Sequence, residues 1–115
     1  MKIFASLLIG LLLLPSTSFA QFTGPSATGR ISTVTEARNA PVDTYVTVTG
    51  AIVAHLREDY YTFRDQTGEV RVEIEPEVWR NQKIGPDTKV RLVAEVDRNA
   101  AGTIYLWVES LQIVD

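Results

Sequence analysis

Three observations predict an all-β fold. Five runs of alternating apolar and polar residues follow one another after Asp43. The first of them is long and carries Gly50 on its apolar parity, and a lone helical turn opened by Pro76 separates the third from the fourth. Alternation at period two marks half-buried strands. A long bent first strand lets a small barrel share one strand between both halves of its sheet. Together these features select a five-stranded OB-fold barrel with a short N-terminal helix and one helical turn between strands three and four. An open meander sandwich is the alternative, but closure removes the sheet edges that an open arrangement leaves exposed.

The chain opens with MKIFASLLIGLLLLPSTSFA. One lysine precedes an apolar run from Ile3 to Leu14, then Pro15 and the small-residue pattern Ser18-Phe19-Ala20. This predicts a secretory signal peptide over residues 1–20, cut before Gln21. Twelve apolar residues reach only about 18 Å as a helix, short of a hydrocarbon core of about 30 Å, so no membrane anchor is expected after cleavage. The mature chain is therefore expected to be exported. The chain has no cysteine and therefore neither a disulfide nor a lipid-attachment thiol.

Loss of Lys2 would take the formal charge from −3 to −4. A net-acidic exported domain is poorly matched to phosphate-rich or anionic-membrane partners, whose capture rests on Lys and Arg, and nucleic acid is not an expected partner. Gln21 to Arg30 mixes Gly, Pro, Ser and Thr without apolar periodicity and reads as a flexible lead-in over residues 21–30, before a domain over residues 31–115. In ISTVTEARNAP, Thr33 and Glu36 form a capping box, and Pro41 ends the short helix. A helix of about two turns is marginal alone and must pack on a body, here through Ile31, Val34 and Ala37.

In the first strand Val46, Val48, Ile52, Ala54 and Leu56 share the inward parity, with Gly50 permitting a bulge or bend. The second directs Tyr61 and Phe63 inward and Tyr60, Thr62 and Arg64 outward; the third directs Val70, Val72 and Ile74 inward. This parity fixes their register through the loop Asp65-Gln66-Thr67-Gly68, with Gly68 left-handed. The outward pairs become Arg64 with Glu69, Thr62 with Arg71 and Tyr60 with Glu73. Val78 and Trp79 occupy the helical turn, where Trp79 is expected to plug one mouth of the barrel. Val90, Leu92, Ala94 and Val96 form the inward row of the fourth strand, and Ile104, Leu106 and Val108 that of the fifth; SLQIVD extends the last strand or closes an edge.

The segments TYVTVTGAIVAHL, DYYTFRDQTGEVRVEI, the VW pair and VRLVAEVD together resemble the bacterial OB-fold (BOF) family of small periplasmic stress-tolerance proteins. The most specific pieces are YxFxDxTGxVxVxI, here Tyr61 to Ile74, and the Glu95-Val96-Asp97 triplet. Ala94 stands where the family often has Gly, and AAGTIYLWV is less polar than its usual final strand. The resemblance implies an OB-fold, a periplasmic location, support of envelope or oxidative stress tolerance, and a non-nucleic-acid ligand.

The expected ligand-binding residues are Tyr60, Thr62, Arg64, Arg71, Tyr105 and Trp107. OB-folds bind oligonucleotides or oligosaccharides across strands two and three and the loops beside them. The four charged residues of that face sum to zero, so a small polar ligand or a glycan suits it better than a phosphate chain. The alternative is a protein-interaction or structural module that docks an envelope protein. Tyr105 and Trp107 offer a stacking platform, although the helix at residues 33–40 is expected to cover them. His55 is the only histidine, placed on the outward parity without companion ligands, and Glu58, Asp59 and Asp97 lack the ligand spacing of a calcium loop, so no metal site and no cofactor are expected. With no nucleophile elbow and no phosphate loop, no catalytic residues and no enzyme activity are expected.

Overall fold

A computed structural model describes residues 30–115, arranged as β1 (Arg30–Ile31), α1 (Val34–Arg38), β2 (Tyr45–Arg57), β3 (Tyr60–Asp65), β4 (Gly68–Glu73), α2 (Pro76–Trp79), β5 (Val90–Arg98) and β6 (Ile104–Ile113). The expected signal peptide, its expected cleavage site and most of the expected lead-in lie outside the described residues. The strands run β2–β3–β4–β6–β5 around a barrel that closes by β5 pairing back onto β2. The closing pairs are antiparallel except β4 with β6, which run parallel with Arg71 opposite Tyr105 and Glu73 opposite Trp107. The predicted five-stranded OB-type barrel is therefore the observed fold, with β6 carried through SLQI as its extension.

The barrel turns its corner at Gly50. Here β2 gives up its pairing with β5, last made by Gly50 with Val90, and takes up β3, first met by Ala51 opposite Arg64. A methyl group at Gly50 would lie 2.2 Å from the Arg64 carbonyl oxygen and 3.1 Å from Cζ of Phe63. Only a residue without Cβ lets the backbones approach this closely. The interior is filled by the inward parity of every strand, including Phe63, Val72, Ile74, Leu92, Val96 and Leu106, none of which retains solvent exposure. Ala40, Tyr61, Val78 and Trp79 pack against this core.

Beyond Gly50 the simple alternation expected for β2 fails. Register shifts between Ile52 and Ala54 and between His55 and Arg57 each absorb an extra residue. Each such bulge moves the following side chains to the other face. Ala54 and Leu56, expected inward, are therefore exposed, and Leu56 keeps 48% of its surface. His55, expected on the opposite parity, comes to the side of Tyr61 and stacks on its ring at 4.7 Å, while its Nε2 lies 2.7 Å from the Glu58 carbonyl oxygen. Tyr61 in turn meets Trp79 edge-on at 5.2 Å, so α2 covers the mouth of the barrel beside the start of β3.

The opposite mouth is covered by α1. Its capping box is complete: the Glu36 N–H donates to the Thr33 hydroxyl, and the Thr33 N–H donates to the Glu36 carboxylate. The helix is shorter than the two turns expected, because its C-cap is already Asn39, ahead of Pro41. Val34 and Ala37 are fully buried. Ile31 is not part of this contact: it lies in β1, which pairs parallel to β2 beside Thr47, and keeps 86% of its surface. Arg30, assigned to the lead-in, is likewise in β1.

Asp65 ties α1 to the β3–β4 turn. One carboxylate oxygen accepts from the Val34 N–H at 2.9 Å, and the other from the Thr67 N–H at 2.7 Å and hydroxyl at 2.6 Å. Burial alone would push this carboxyl up, but the Thr67 hydroxyl and the N–H groups of Val34, Thr67 and Gly68 together outweigh it and hold it below its ordinary value. The turn itself is tighter than the loop expected, since Asp65 pairs directly with Gly68 and only Gln66 and Thr67 lie between. Gly68 has φ +154°, an extended conformation that L side chains rarely adopt, rather than the left-handed helical one.

Two outcomes follow from these contacts. Gly50→Ala forces a methyl group onto a backbone carbonyl and is expected to cost about 3 kcal/mol, lowering the Tm by roughly 12 °C or more in a thermal melt. Asp65→Asn is expected to cost about 1.5 kcal/mol at neutral pH, measured by urea denaturation. Because the folded carboxyl is held low, the wild-type advantage should be complete above about pH 4 and shrink as pH falls through the folded value. An advantage that persists at lower pH would show that the hydrogen bonds do not depend on the charge.

Candidate functional site

The outward parity of four strands forms one surface. In the first row Thr62, Arg71, Tyr105 and Asp97 stand side by side on β3, β4, β6 and β5. In the second, Tyr60, Glu73, Trp107 and Glu95 do the same, and Tyr45 of β2 completes the row beside Glu95. All nine side chains are half-buried, as expected for residues that lie against their neighbours on a curved sheet. The turn at residues 58–59 bounds one end of this surface and the loop at residues 99–103 the other, the placement through which OB-folds frame a ligand.

The parallel pairing of β4 with β6 joins residues that the sequence presents as two separate patches. Tyr60 and Tyr105 meet edge to face across β4, with ring centres 6.1 Å apart. The Arg71 guanidinium lies 5.8 Å from the Tyr60 ring centre, and Arg57 lies 5.3 Å from it. Tyr60 is thus held between two cations and a second aromatic ring, which fixes its orientation. Five of the six residues expected in a site fall within the two rows. Arg64 stands one row further along, opposite Ala51, where its Nε donates to Glu69 at 2.8 Å. The expected cross-strand pairs Arg64 with Glu69, Thr62 with Arg71 and Tyr60 with Glu73 are all present.

The expectation that the N-terminal helix covers Tyr105 and Trp107 is not met. That helix packs on β4 and β2 over the end of the barrel, and both aromatics remain half-exposed. The physical reason is its anchor: Asp65 and Thr67 hold α1 at the β3–β4 turn. Residues absent from the expected set but standing in the rows are Tyr45, Glu73, Glu95 and Asp97. The Glu95-Val96-Asp97 triplet marked two of them by sequence; their position beside Trp107 and Tyr105 required the register of β5 and β6.

The surface is acid-rich. The Tyr105 hydroxyl donates to Asp97 at 3.2 Å, and Tyr45 donates to Glu109 at 2.9 Å. Burial, then the bond to Asp97 and the nearby charges of Asp97 and Glu73, push the Tyr105 hydroxyl up to about 12. Glu73 is pushed up by burial and by the charges of Glu75, Asp59 and Asp97; Glu95 is pushed up by burial and by Asp43, Asp97 and Glu109. Among the described residues no group of three or more His, Cys, Asp or Glu converges as metal ligands. What the rows offer chemically is flat aromatic surface flanked by carboxylates that accept hydroxyl or ammonium hydrogens, with one guanidinium among them. A carboxyl raised by folding is disfavoured in its charged form, so Glu73→Gln is expected to stabilise the fold at neutral pH by about 0.5 kcal/mol, the scale of one cross-strand pair. Chemical denaturation at several pH values should show that gain fading as pH falls through the raised folded value towards the ordinary carboxyl range near 4.5; no gain at neutral pH would contradict the like-charge picture.

Comparison with known proteins agrees with this architecture. The family model for the bacterial OB fold (BOF) protein matches residues 14–112. The calcium-regulated OB-fold protein CarO of Pseudomonas aeruginosa is 43% identical over 86 residues, covering 75% of this chain and 74% of its own. Protein YgiW of Escherichia coli is 34% identical, covering 68% of both chains. Its solved structure superimposes with a TM-score of 0.71 at 30% identity, covering 75% of this chain and 91% of that one. The telomere capping protein Ten1 of Saccharomyces pombe, at 10% identity and a TM-score of 0.56, shares the fold alone. With its barrel, its Tyr61–Ile74 hairpin and these relatives, the chain belongs to the bacterial OB-fold (BOF) family.

Proposed function

We propose that this chain is an exported, periplasmic, non-enzymatic binding protein that supports envelope or oxidative stress tolerance. Its ligand is a polar molecule other than nucleic acid, a cell-wall glycan or a smaller polar compound, laid across β3, β4 and β6. The observation that carries the reading is the continuous pair of rows in which Tyr60, Tyr105 and Trp107 alternate with Thr62, Arg71, Glu73, Glu95 and Asp97. A sugar ring has an apolar face of C–H groups that stacks on aromatic rings and a rim of hydroxyls that donate to carboxylates. Half-buried tyrosine and tryptophan supply contact area at little cost in lost side-chain freedom. A phosphate chain along the same rows would meet three carboxylates for one guanidinium, the reverse of the positive groove used by single-strand binders.

A second reading, a module that docks an envelope protein, is favoured by β1. Among the described residues this two-residue strand lies at the end of the strand order, with β2 as its neighbour and Ile31 exposed, an arrangement that invites strand addition. Photo-crosslinking from position 31 in intact cells would capture a protein partner if that edge is used.

For the glycan reading, calorimetric titration with cell-wall glycan fragments should give saturable binding. Tyr60→Ala and Trp107→Ala should each weaken it at least tenfold, about 1.4 kcal/mol, while the melting transition stays cooperative. Unchanged affinity in both variants would remove this face as the site. The same two variants should fail to restore peroxide survival in a strain lacking the protein.

A further inference from the structure

Beside the rows, on the end of the barrel covered by α1, a groove of about 490 Å³ runs between α1 and the β5–β6 loop, lined by Thr35, Arg38, Asn39 and Thr103. It continues into a second hollow of about 450 Å³ that shares Arg38 and Thr103 and reaches Arg71 and Glu69 on β4. Volumes of this size fit one sugar or a comparable small group. Arg71 connects the groove to the rows, because its guanidinium also faces the Tyr60 ring.

The charges around the groove divide in one direction. Glu69 is taken up by Arg64 through two hydrogen bonds. Glu36 is occupied by the capping box, and Asp97 accepts from the Arg98 N–H at 2.7 Å and from Tyr105. Arg98 itself donates to the Gly102 carbonyl oxygen at 3.0 Å. Among the described residues, by contrast, neither Arg38 nor Arg71 has a carboxylate within ion-pair distance; Arg38 makes one long bond, 3.3 Å, to the Glu69 carbonyl oxygen. Arg38 and Arg71 thus retain most of their donors beside a hollow whose one lining acid, Glu69, is already engaged. The outer wall is firm: the Asn99 carboxamide oxygen accepts from the N–H groups of both Ala101 and Thr103 at 2.9 Å. On the inner side, the Asn39 amide is tied to the Thr35 carbonyl.

We infer that this groove is an anion subsite in which Arg38 and Arg71 bind the carboxylate of an acidic sugar, the rest of the ligand lying on the Tyr60–Trp107 face. This rests on the glycan reading of that face. A carboxylate presents two coplanar oxygens that match the fork of a guanidinium. A single negative group suits the site, because Glu73, Glu95 and Asp97 on the adjoining rows repel a ligand carrying several. Thr35 and Thr103 also line the groove; the Thr35 hydroxyl donates to the Thr67 carbonyl and so offers a sugar hydroxyl an acceptor only.

The side-chain Nε–H signals of the arginines in the purified protein read this subsite directly, with D-glucuronate, glucose and inorganic sulfate as probes at physiological salt. Glucuronate should move the Arg38 and Arg71 signals saturably and leave those of Arg30 and Arg91 in place, while glucose moves none. Arg38→Gln should weaken glucuronate binding about tenfold without shifting the melting temperature, the loss expected for one charge-assisted contact. Shifts spread evenly over all arginines, no shift at all, or sulfate acting as strongly as glucuronate would overturn the assignment. The face has its own readout: an uncharged, methyl-esterified uronic oligosaccharide should still bind the Arg38→Gln protein and lose affinity in Trp107→Ala. If that ester binds equally well to Trp107→Ala, the reading of the face fails whatever the arginines report.

Discussion

The whole barrel depends on one close approach, the backbone of Gly50 against the carbonyl of Arg64. A single strand can serve two sheets only if it bends sharply where it changes partner, and at that bend its inner side has no room for a Cβ. On one side of Gly50, β2 carries β5; on the other it carries β3. The curvature set there brings β4 and β6 within pairing distance, and their parallel contact completes the ring. Filling the interior with Phe63, Leu92, Leu106 and the valines then follows from alternation. Two short helices, held by Asp65 at one mouth and by Tyr61 and Trp79 at the other, cover what the strands leave open.

Closure has a second effect, on the outside. The same parity that directs Val72 and Leu106 inward directs Arg71, Glu73, Tyr105 and Trp107 outward, so the seam that seals the core also assembles the surface rows. Their electrostatics come from this crowding. Glu73, Glu95 and Asp97 come from β4 and β5, with the last strand between them, and burial together with like charge raises Glu73 and Glu95. The basic side chains of this acid-rich surface are Arg57 at one end of the rows, Arg38 at the other and Arg71 within them.

Much of the architecture is legible in the residues. Alternation located all five barrel strands, the inward match of Phe63 with Val70 set the hairpin register, and Thr33 with Glu36 announced the helix start. These signals are local, carried by side-chain parity or by a hydrogen bond spanning three residues. The failures have a common origin in long-range geometry. The two register shifts in β2 depend on how tightly it coils against β3, which the string Val53-Ala54-His55-Leu56 does not encode. Ile31 looks like the first residue of an amphipathic stripe, yet backbone pairing to Val46 and Thr47 claims its segment for a strand. Of the candidate site, the Tyr60, Thr62 and Arg71 patch was readable and so were the two aromatics of β6. Their union was not, because parallel pairing between β4 and β6 leaves no turn signature in the sequence. The groove at Arg38 was invisible for the same reason: it exists only where α1 and the β5–β6 loop meet.

The parallel seam between β4 and β6 also bears on the order in which the chain acquires its parts. The β3–β4 hairpin joins neighbours through a two-residue turn and can form early, whereas the seam joins segments far apart in the chain and bears a larger loop-closure entropy. Pairing across that seam, which brings Tyr60 and Arg71 beside Tyr105 and Trp107, therefore follows the hairpin, as does the still longer-range pairing of β2 with β5. An incompletely closed chain has a hairpin and a core in the making but no assembled surface. Whatever bridges that surface grips both sides of the seam, acting as a clasp on a chain that has no covalent crosslink of its own.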